Sequence, residues 1–257
     1  MTTLAPEPIP AKPWQLKMAA GLALLLIWEL GVRWAAPAYV ARPLGIAQVL
    51  WSVCQDPVFW HAVRGTLGAV LQGLLLSFVL GIGVGVLMGR KPDINDALSH
   101  YLNGLFATPM VAVLPLLTLW WGYNDAARLA AIVFAAFFPM AINAREGAAN
   151  VPVEYTEVAR SFRAPSLTLL FDIILPSSLP YILAGMRLAA GRALVASVVA
   201  EFFVAIPGLG HYILFHSRTF QHNQAFVAVL ALLVTGVAIE GLTRWLTRRY
   251  VPWFRRH

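Results

Sequence analysis

From Thr66 to Gly89 the chain carries no charged side chain, and from Tyr101 to Asn124 again none. Each stretch exceeds the ~20 apolar residues that a helix needs to cross a hydrocarbon core about 30 Å thick. A segment of that kind is stable in lipid only as a helix, because a helix satisfies its own backbone hydrogen bonds. The composition agrees. Of 257 residues, 59% are hydrophobic and 12% charged, with mean hydropathy +0.70, whereas a soluble domain carries about 25% charged residues. A formal charge of +7 in a soluble protein would suggest nucleic acid. Here the basic residues stand between and at the ends of apolar runs, as topology requires, so no nucleic-acid partner is expected.

Six spans emerge, approximately 16–36, 66–89, 101–123, 127–144, 180–204 and 223–246. The expected fold is all-α, a single transmembrane domain over 1–257 with a structured loop at 145–178. No Gly/Ser linker or low-complexity segment divides it. Lysine and arginine counts set the orientation. With the N-terminus cytoplasmic, Lys12, Lys17, Arg90, Lys91, Arg145, Arg160, Arg163, Arg244, Arg248, Arg249, Arg255 and Arg256 fall inside, against Arg42, Arg64, Arg128 and Arg218 outside. Both termini are therefore expected in the cytoplasm. Ala36-Pro37-Ala38 loosely mimics a signal-peptidase site, but Glu29 and Arg33 precede it where a cleaved signal stays neutral, so the first helix is expected to be retained.

Within the loop, Tyr155, Val158, Ala159 and Phe162 form an i, i+3, i+4, i+7 stripe. Pro152 suits a helix start, Glu154 and Glu157 sit near its positive end, and Arg160 and Arg163 near its negative end. A second helix is expected from Leu167 to Leu175, capped by Ser166 and stopped by Pro176, with Ser178 and Pro180 leading into the fifth span. A short two-helix loop with an apolar stripe ringed by both charges suits docking into a partner's groove; a hairpin lying on the lipid surface is the plainer alternative.

The spacing makes the loop more specific. Glu157-Val158-Ala159 is followed, after thirteen intervening residues, by Ile173-x-Leu175-Pro176. This resembles the EAA loop of ABC importer permeases, in which E-A-A, three residues, Gly, nine residues and I-x-L-P recur. Val158 replaces the second residue and Arg163 the glycine. Leu179 to Phe203, the Gly208-Leu209-Gly210 turn and Pro109 to Gly122 are similar to the branch importing aliphatic sulfonates, taurine and nitrate. The resemblance implies that Glu154, Tyr155, Glu157, Val158, Ala159, Arg160, Phe162 and Arg163 seat on an ATPase subunit. It further implies a bacterial inner-membrane assembly of two permeases, commonly identical, with two ATPases and an extracytoplasmic binding protein. The branch favours a small organic or inorganic anion as solute, sulfonates or taurine first and nitrate next, with neutral or cationic vitamin precursors as the alternative.

The chain has no G-x-x-x-x-G-K-[ST], so no cofactor is expected on it, and ATP and Mg²⁺ would be bound by the partner ATPase. An intramembrane enzyme is the main rival, but neither H-E-x-x-H nor G-x-S-x-G occurs. An ion-coupled secondary transporter would show inverted repeats, and none is evident. His211, His216 and His222 lack metal-ligand spacing, so no metal site is expected. Gly81, Gly85 and Gly89 are spaced for close helix packing. Glu29 and Arg33 are an i, i+4 pair suited to mutual neutralisation. Thr108, Asn143, Arg187, Arg192, Ser197 and Glu201 are the polar residues in spans that could line a translocation path. Trp120, Trp121, Trp245, Tyr250 and Trp253 suit the membrane interfaces.

Overall fold

The computed structural model describes residues 13–37 and 40–251. Ala38 and the basic or aromatic residues Lys12, Trp253, Arg255 and Arg256 invoked above lie outside them. The described chain is helical throughout: α1 (Pro13–Ala35), α2 (Pro43–Gln55), α3 (Pro57–Arg90), α4 (Pro92–Ala107), α5 (Met110–Trp121), α6 (Asp125–Ala149), α7 (Val153–Ser161), α8 (Ser166–Thr168), a π-helical turn (Leu169–Ile174), α9 (Leu175–Val204), α10 (Leu209–Arg218) and α11 (His222–Tyr250). Five helices are long and apolar enough to cross a membrane, or six if α4 and α5 count as one bent span.

The centre is the packing of α6 between α3 and α9. Small residues set the distance. On α6, Ala136, Met140 and Ala144 face α3, while Ala189, Ala193 and Ala196 of α9 complete the same buried cluster. The glycine stripe of α3 lies on this seam. A Cβ on Gly85 would reach the backbone of Ala141 and come within 2.7 Å of the Ala144 methyl. Close backbone approach of this kind lets helices associate in lipid, where no hydrophobic force drives them together.

Four sequence expectations change. The outside loop expected before residue 66 is largely helical. Asp56 caps α3 by accepting from Val58 N at 2.9 Å, Pro57 occupies its first turn, and the uncharged α2 precedes it. The expected span 101–123 is two helices bent by 101° at Thr108-Pro109. Proline donates no hydrogen bond and biases the residue before it to extended backbone, as Thr108 shows (φ −69°, ψ 128°). At 1.5 Å per residue α4 is about 24 Å long, so neither half crosses the core alone. Pro176 does not stop a helix. A continuous helical stretch runs from Ser166 to Val204, with the wider π-helical turn immediately ahead of the proline. Such a turn shifts the hydrogen-bond register where a proline ring would clash with the preceding turn. The expected loop 145–178 is accordingly shorter, since α6 extends to Ala149 and α9 begins at Leu175.

The first helix is attached mainly at one end. Leu22, Leu24, Leu26 and Ile27 are exposed. Near the end of α1, Glu29 accepts from Arg33 Nε at 2.6 Å and from Leu44 N of α2 at 3.0 Å, and Trp28 packs on Phe226 of α11. Trp120, Trp121, Trp245 and Tyr250 are all exposed, as interfacial anchors are.

Candidate functional site

The loop between α6 and α9 is held rigidly at its base. Val151 and Ile174 are buried with Val86 and Ala148, and Leu169, Leu170, Ile173 and Leu175 pack around them. Ile173 and Leu175, the residues of the I-x-L-P sequence, therefore anchor the loop to the ends of α3 and α6. From this base α7 projects. Thr156 and Ala159 face inward, 4% and 7% exposed. Tyr155, Val158 and Phe162 face outward, at 56%, 57% and 83%. The expected stripe is thus divided: Ala159 fastens the helix, and the three large side chains stand free. Glu154, Glu157, Arg160 and Arg163 are exposed around them, and none forms an ion pair among the described residues.

The end of α7 explains Arg163. Ala164 N donates to Ala159 O at 2.9 Å, and Arg163 N donates to Arg160 O at 2.8 Å. These are the paired bonds of a Schellman cap, which places one residue in left-handed backbone. That residue is Arg163, at φ 50°. Glycine is the usual occupant, so an arginine here is strained by about 1 kcal/mol.

The polar residues within spans fall in separate places. Arg192 lies over the Phe106 ring, 4.1 Å from its centroid, and Nη1 donates to Phe106 O at 3.5 Å. It therefore stands beside the break between α4 and α5, where Thr108 Oγ1 donates to Gly104 O. Leu188, Val195 and Phe202 continue the exposed face of α9 on which Arg192 sits. Arg187 is five residues earlier, about 140° round the helix from Arg192. Asn143 is half-buried; its Nδ2 donates to Pro139 O at 2.7 Å and its Cβ backs Gly185.

Ser197 and Glu201 form a different arrangement, buried at the opposite end from α7. Glu201 Oε1 accepts from Thr66 Oγ1 (2.8 Å), Ser197 Oγ (3.1 Å) and Arg128 Nη1 (3.2 Å). Its Oε2 accepts from Gly210 N (2.7 Å) and Thr66 Oγ1 (3.1 Å). Sequence reasoning missed Thr66 and Arg128 as partners of Glu201, having counted the latter only among the outside charges at the start of the 127–144 span. The signal was present: a carboxylate deep in a span needs a cation at the same depth, and Arg128 begins the span before it.

Residues 77–252 match the family model described as "Binding-protein-dependent transport system inner membrane component". Among curated relatives, the nitrate import permease protein NrtB of Leptolyngbya laminosa is 27% identical over 91% of this chain and 86% of its own. The taurine transport system permease protein TauC of Escherichia coli is 26% identical over 90% and 86%. The formylaminopyrimidine transport permease protein ThiX of Halalkalibacterium halodurans is 28% identical over 91% and 94%. All three are named as permeases, not enzymes. An inward-facing structure of the MetNI methionine ABC transporter shares the fold, with TM-score 0.67 at 16% identity over 79% of this chain and 98% of that one. The family model covers well over half of the sequence and includes the second half of α3, all of α6 and α9 and the α7 loop, so this chain belongs to the inner-membrane components of binding-protein-dependent transport systems, as a permease subunit of an ABC importer.

Proposed function

We propose that this permease pairs with a second, identical copy to form the channel, and that α7 of each copy seats in a groove of a cytoplasmic ATPase subunit. ATP and Mg²⁺ are bound by those ATPases, and an extracytoplasmic binding protein delivers the solute. Both chain termini are cytoplasmic. The observation that carries the reading is α7 itself. Tyr155, Val158 and Phe162 stand outward, ringed by exposed charges of both signs that form no ion pair among the described residues, on a well-packed base. Such an apolar stripe with a charged ring is what a helix-in-groove contact uses.

The solute is a small anion, a sulfonate such as taurine first and nitrate next. The relatives named for taurine and nitrate support this choice, as does Arg192, exposed beside the α4–α5 break on the open face of α9. An arginine there attracts anions and also serves as a planar hydrogen-bond donor to oxyanions. With Thr108, it is the part of the candidate path closest to that break; Asn143, Ser197 and Glu201 have neighbours of their own, and Arg187 lies about 140° round α9 from it.

Affinity purification of the tagged chain, co-expressed with its neighbouring genes and followed by mass spectrometry, tests the assembly. An ATPase should co-elute with the unmutated chain and be lost from Tyr155→Asp/Phe162→Asp, while the amount of permease in the membrane is unchanged. No ATPase with the unmutated chain, even after crosslinking, would leave α7 a surface hairpin.

A further inference from the structure

The buried carboxylate of Glu201 has no part in docking an ATPase and no opening toward a solute. Its surroundings assign it another task. The turn between α9 and α10 enters through Ala205 in left-handed backbone, φ 55°. It then wraps the carboxyl group so tightly that a Cβ on Gly208 would fall on the Glu201 carboxylate, and one on Gly210 would lie 2.6 Å from Val198 O. The backbone of this turn is held by side chains from three helices. Leu209 N donates to Thr66 Oγ1 of α3 at 2.8 Å. Arg128 Nη1 of α6 donates to Pro207 O at 3.2 Å, and Gly210 N donates to Glu201 of α9. Arg128 is held in turn by Asp125, 2.5 Å from Nη2.

A buried ion pair is tolerable only when its remaining hydrogen-bonding capacity is used. Four donors converge on the two oxygens of Glu201, with the single Thr66 hydroxyl proton shared between them, so the carboxylate is satisfied as built, while Arg128 Nε is buried without a partner among the described residues. Parting the helices would leave a charge in a dry environment, which is costly compared with sliding apolar surfaces. Among the described residues the α7 end has no equivalent ion pair. There α3, α6 and the approach to α9 meet through aliphatic side chains, and the π-helical turn is found at that end too.

We infer that Glu201 is a positioning residue: with Thr66 and Arg128 it clasps the 205–210 turn and α10 onto α3 and α6, and the clasp stays closed through the transport cycle. The outer ends of α3, α6 and α9 then move as one piece, and any opening on the extracytoplasmic side forms outside that piece. This inference rests on the importer reading above.

The test uses the complete assembly of permease, ATPase and binding protein, with ATP hydrolysis stimulated by the binding protein as readout. His61 of α3 and His211 of α10 line one cavity of about 540 Å³. In a Cys54→Ser background, His61→Cys/His211→Cys can be joined by a short, reducible bis-methanethiosulfonate without touching the clasp. A monofunctional methanethiosulfonate is the control for added bulk. The expected result is equal hydrolysis for linked and monofunctionally modified protein. Hydrolysis lost on linking and regained on reduction would show that α10 must part from α3, and would overturn the inference.

A second comparison reads the clasp chemically. Thr66→Ser keeps the hydroxyl that bridges Glu201 and Leu209, and should retain stimulation. Thr66→Val is the same shape without it, and should reduce stimulation roughly tenfold or more, the scale of a buried polar group left unpaired. Equal stimulation in the two variants would also overturn the inference. Failure of the unmutated chain to bring down an ATPase would instead strike the importer reading, so the two failures are distinct.

Discussion

Arg163 and Glu201 are each expensive residues in their places, for different reasons. At Arg163 the cost is conformational. The Schellman cap demands a left-handed residue, and a side chain there loses what glycine would keep. Arg163→Gly should therefore raise permease stability by about 1 kcal/mol, read as a higher midpoint in thermal unfolding of the detergent-solubilised protein. An unchanged or lowered midpoint would mean that the Arg163 side chain makes up the difference. At Glu201 the cost is solvation. Arg128→Met leaves the carboxylate buried without its cation and should destabilise by ~3–5 kcal/mol, whereas Arg128→Met/Glu201→Leu should recover most of that loss. A double variant no better than the single one would show that the ion pair itself, and not the stranded charge, sets the stability. Neither residue's conformation can be read from its neighbours in sequence. Arg163 stands out only by departing from the E-A-A pattern, and Glu201 only as an unpaired charge in a span.

Among the elements, α7 and α3 show how local pattern and tertiary context divide the work. The periodicity of Tyr155, Val158, Ala159 and Phe162 was sufficient to place a helix. It could not say which of the four face a partner, because Ala159 and Thr156 turn toward the base only once Val151 and Ile174 are packed beneath. Glu157→Lys reverses one charge of the exposed ring. The variant should reach the membrane in normal amount yet lose solute-stimulated ATP hydrolysis; normal stimulation would remove Glu157 from the contact. On α3, the seam with α6 depends on the absence of a side chain. Gly85→Val would press on Ala141 backbone and the Ala144 methyl, whereas a Cβ on Gly83 meets nothing within 4 Å. Overpacking of this kind costs ~1–3 kcal/mol, so Gly85→Val should lower the unfolding midpoint while Gly83→Val leaves it in place. Comparable losses in both would assign the effect to helix propensity rather than to the seam.

At the scale of the whole molecule, the arrangement places α7 at one end of the bundle and the Glu201 clasp at the other. The charge asymmetry supports the proposed placement of the α7 end in the cytoplasm. In Cys54→Ser background, Tyr155→Cys should react with a membrane-impermeant maleimide only from the cytoplasmic side, and Trp51→Cys only from the other. Labelling in the reverse sense would invert the proposed topology and, with it, the assignment of both termini. The one span that divides, α4–α5, sits against the exposed face of α9, with Arg192 at the break. An unbroken α4–α5 helix would leave no such irregularity in the bundle.

The sequence by itself determined the solvent of this protein, its helical class, most of its spans and the amphipathic helix of the 145–178 loop. Those follow from run length, charge position and 3.6-residue periodicity, all of which are local. It also carried enough of the E-A-A and I-x-L-P spacing to point to the importer family. Only the tertiary structure decided which polar residues meet. Thr66, Arg128 and Glu201 lie 62 and 73 positions apart along the chain, and nothing local requires them to touch. They do so because α6 packs between α3 and α9 on small residues, and because burial leaves a carboxylate no alternative to finding every donor within reach.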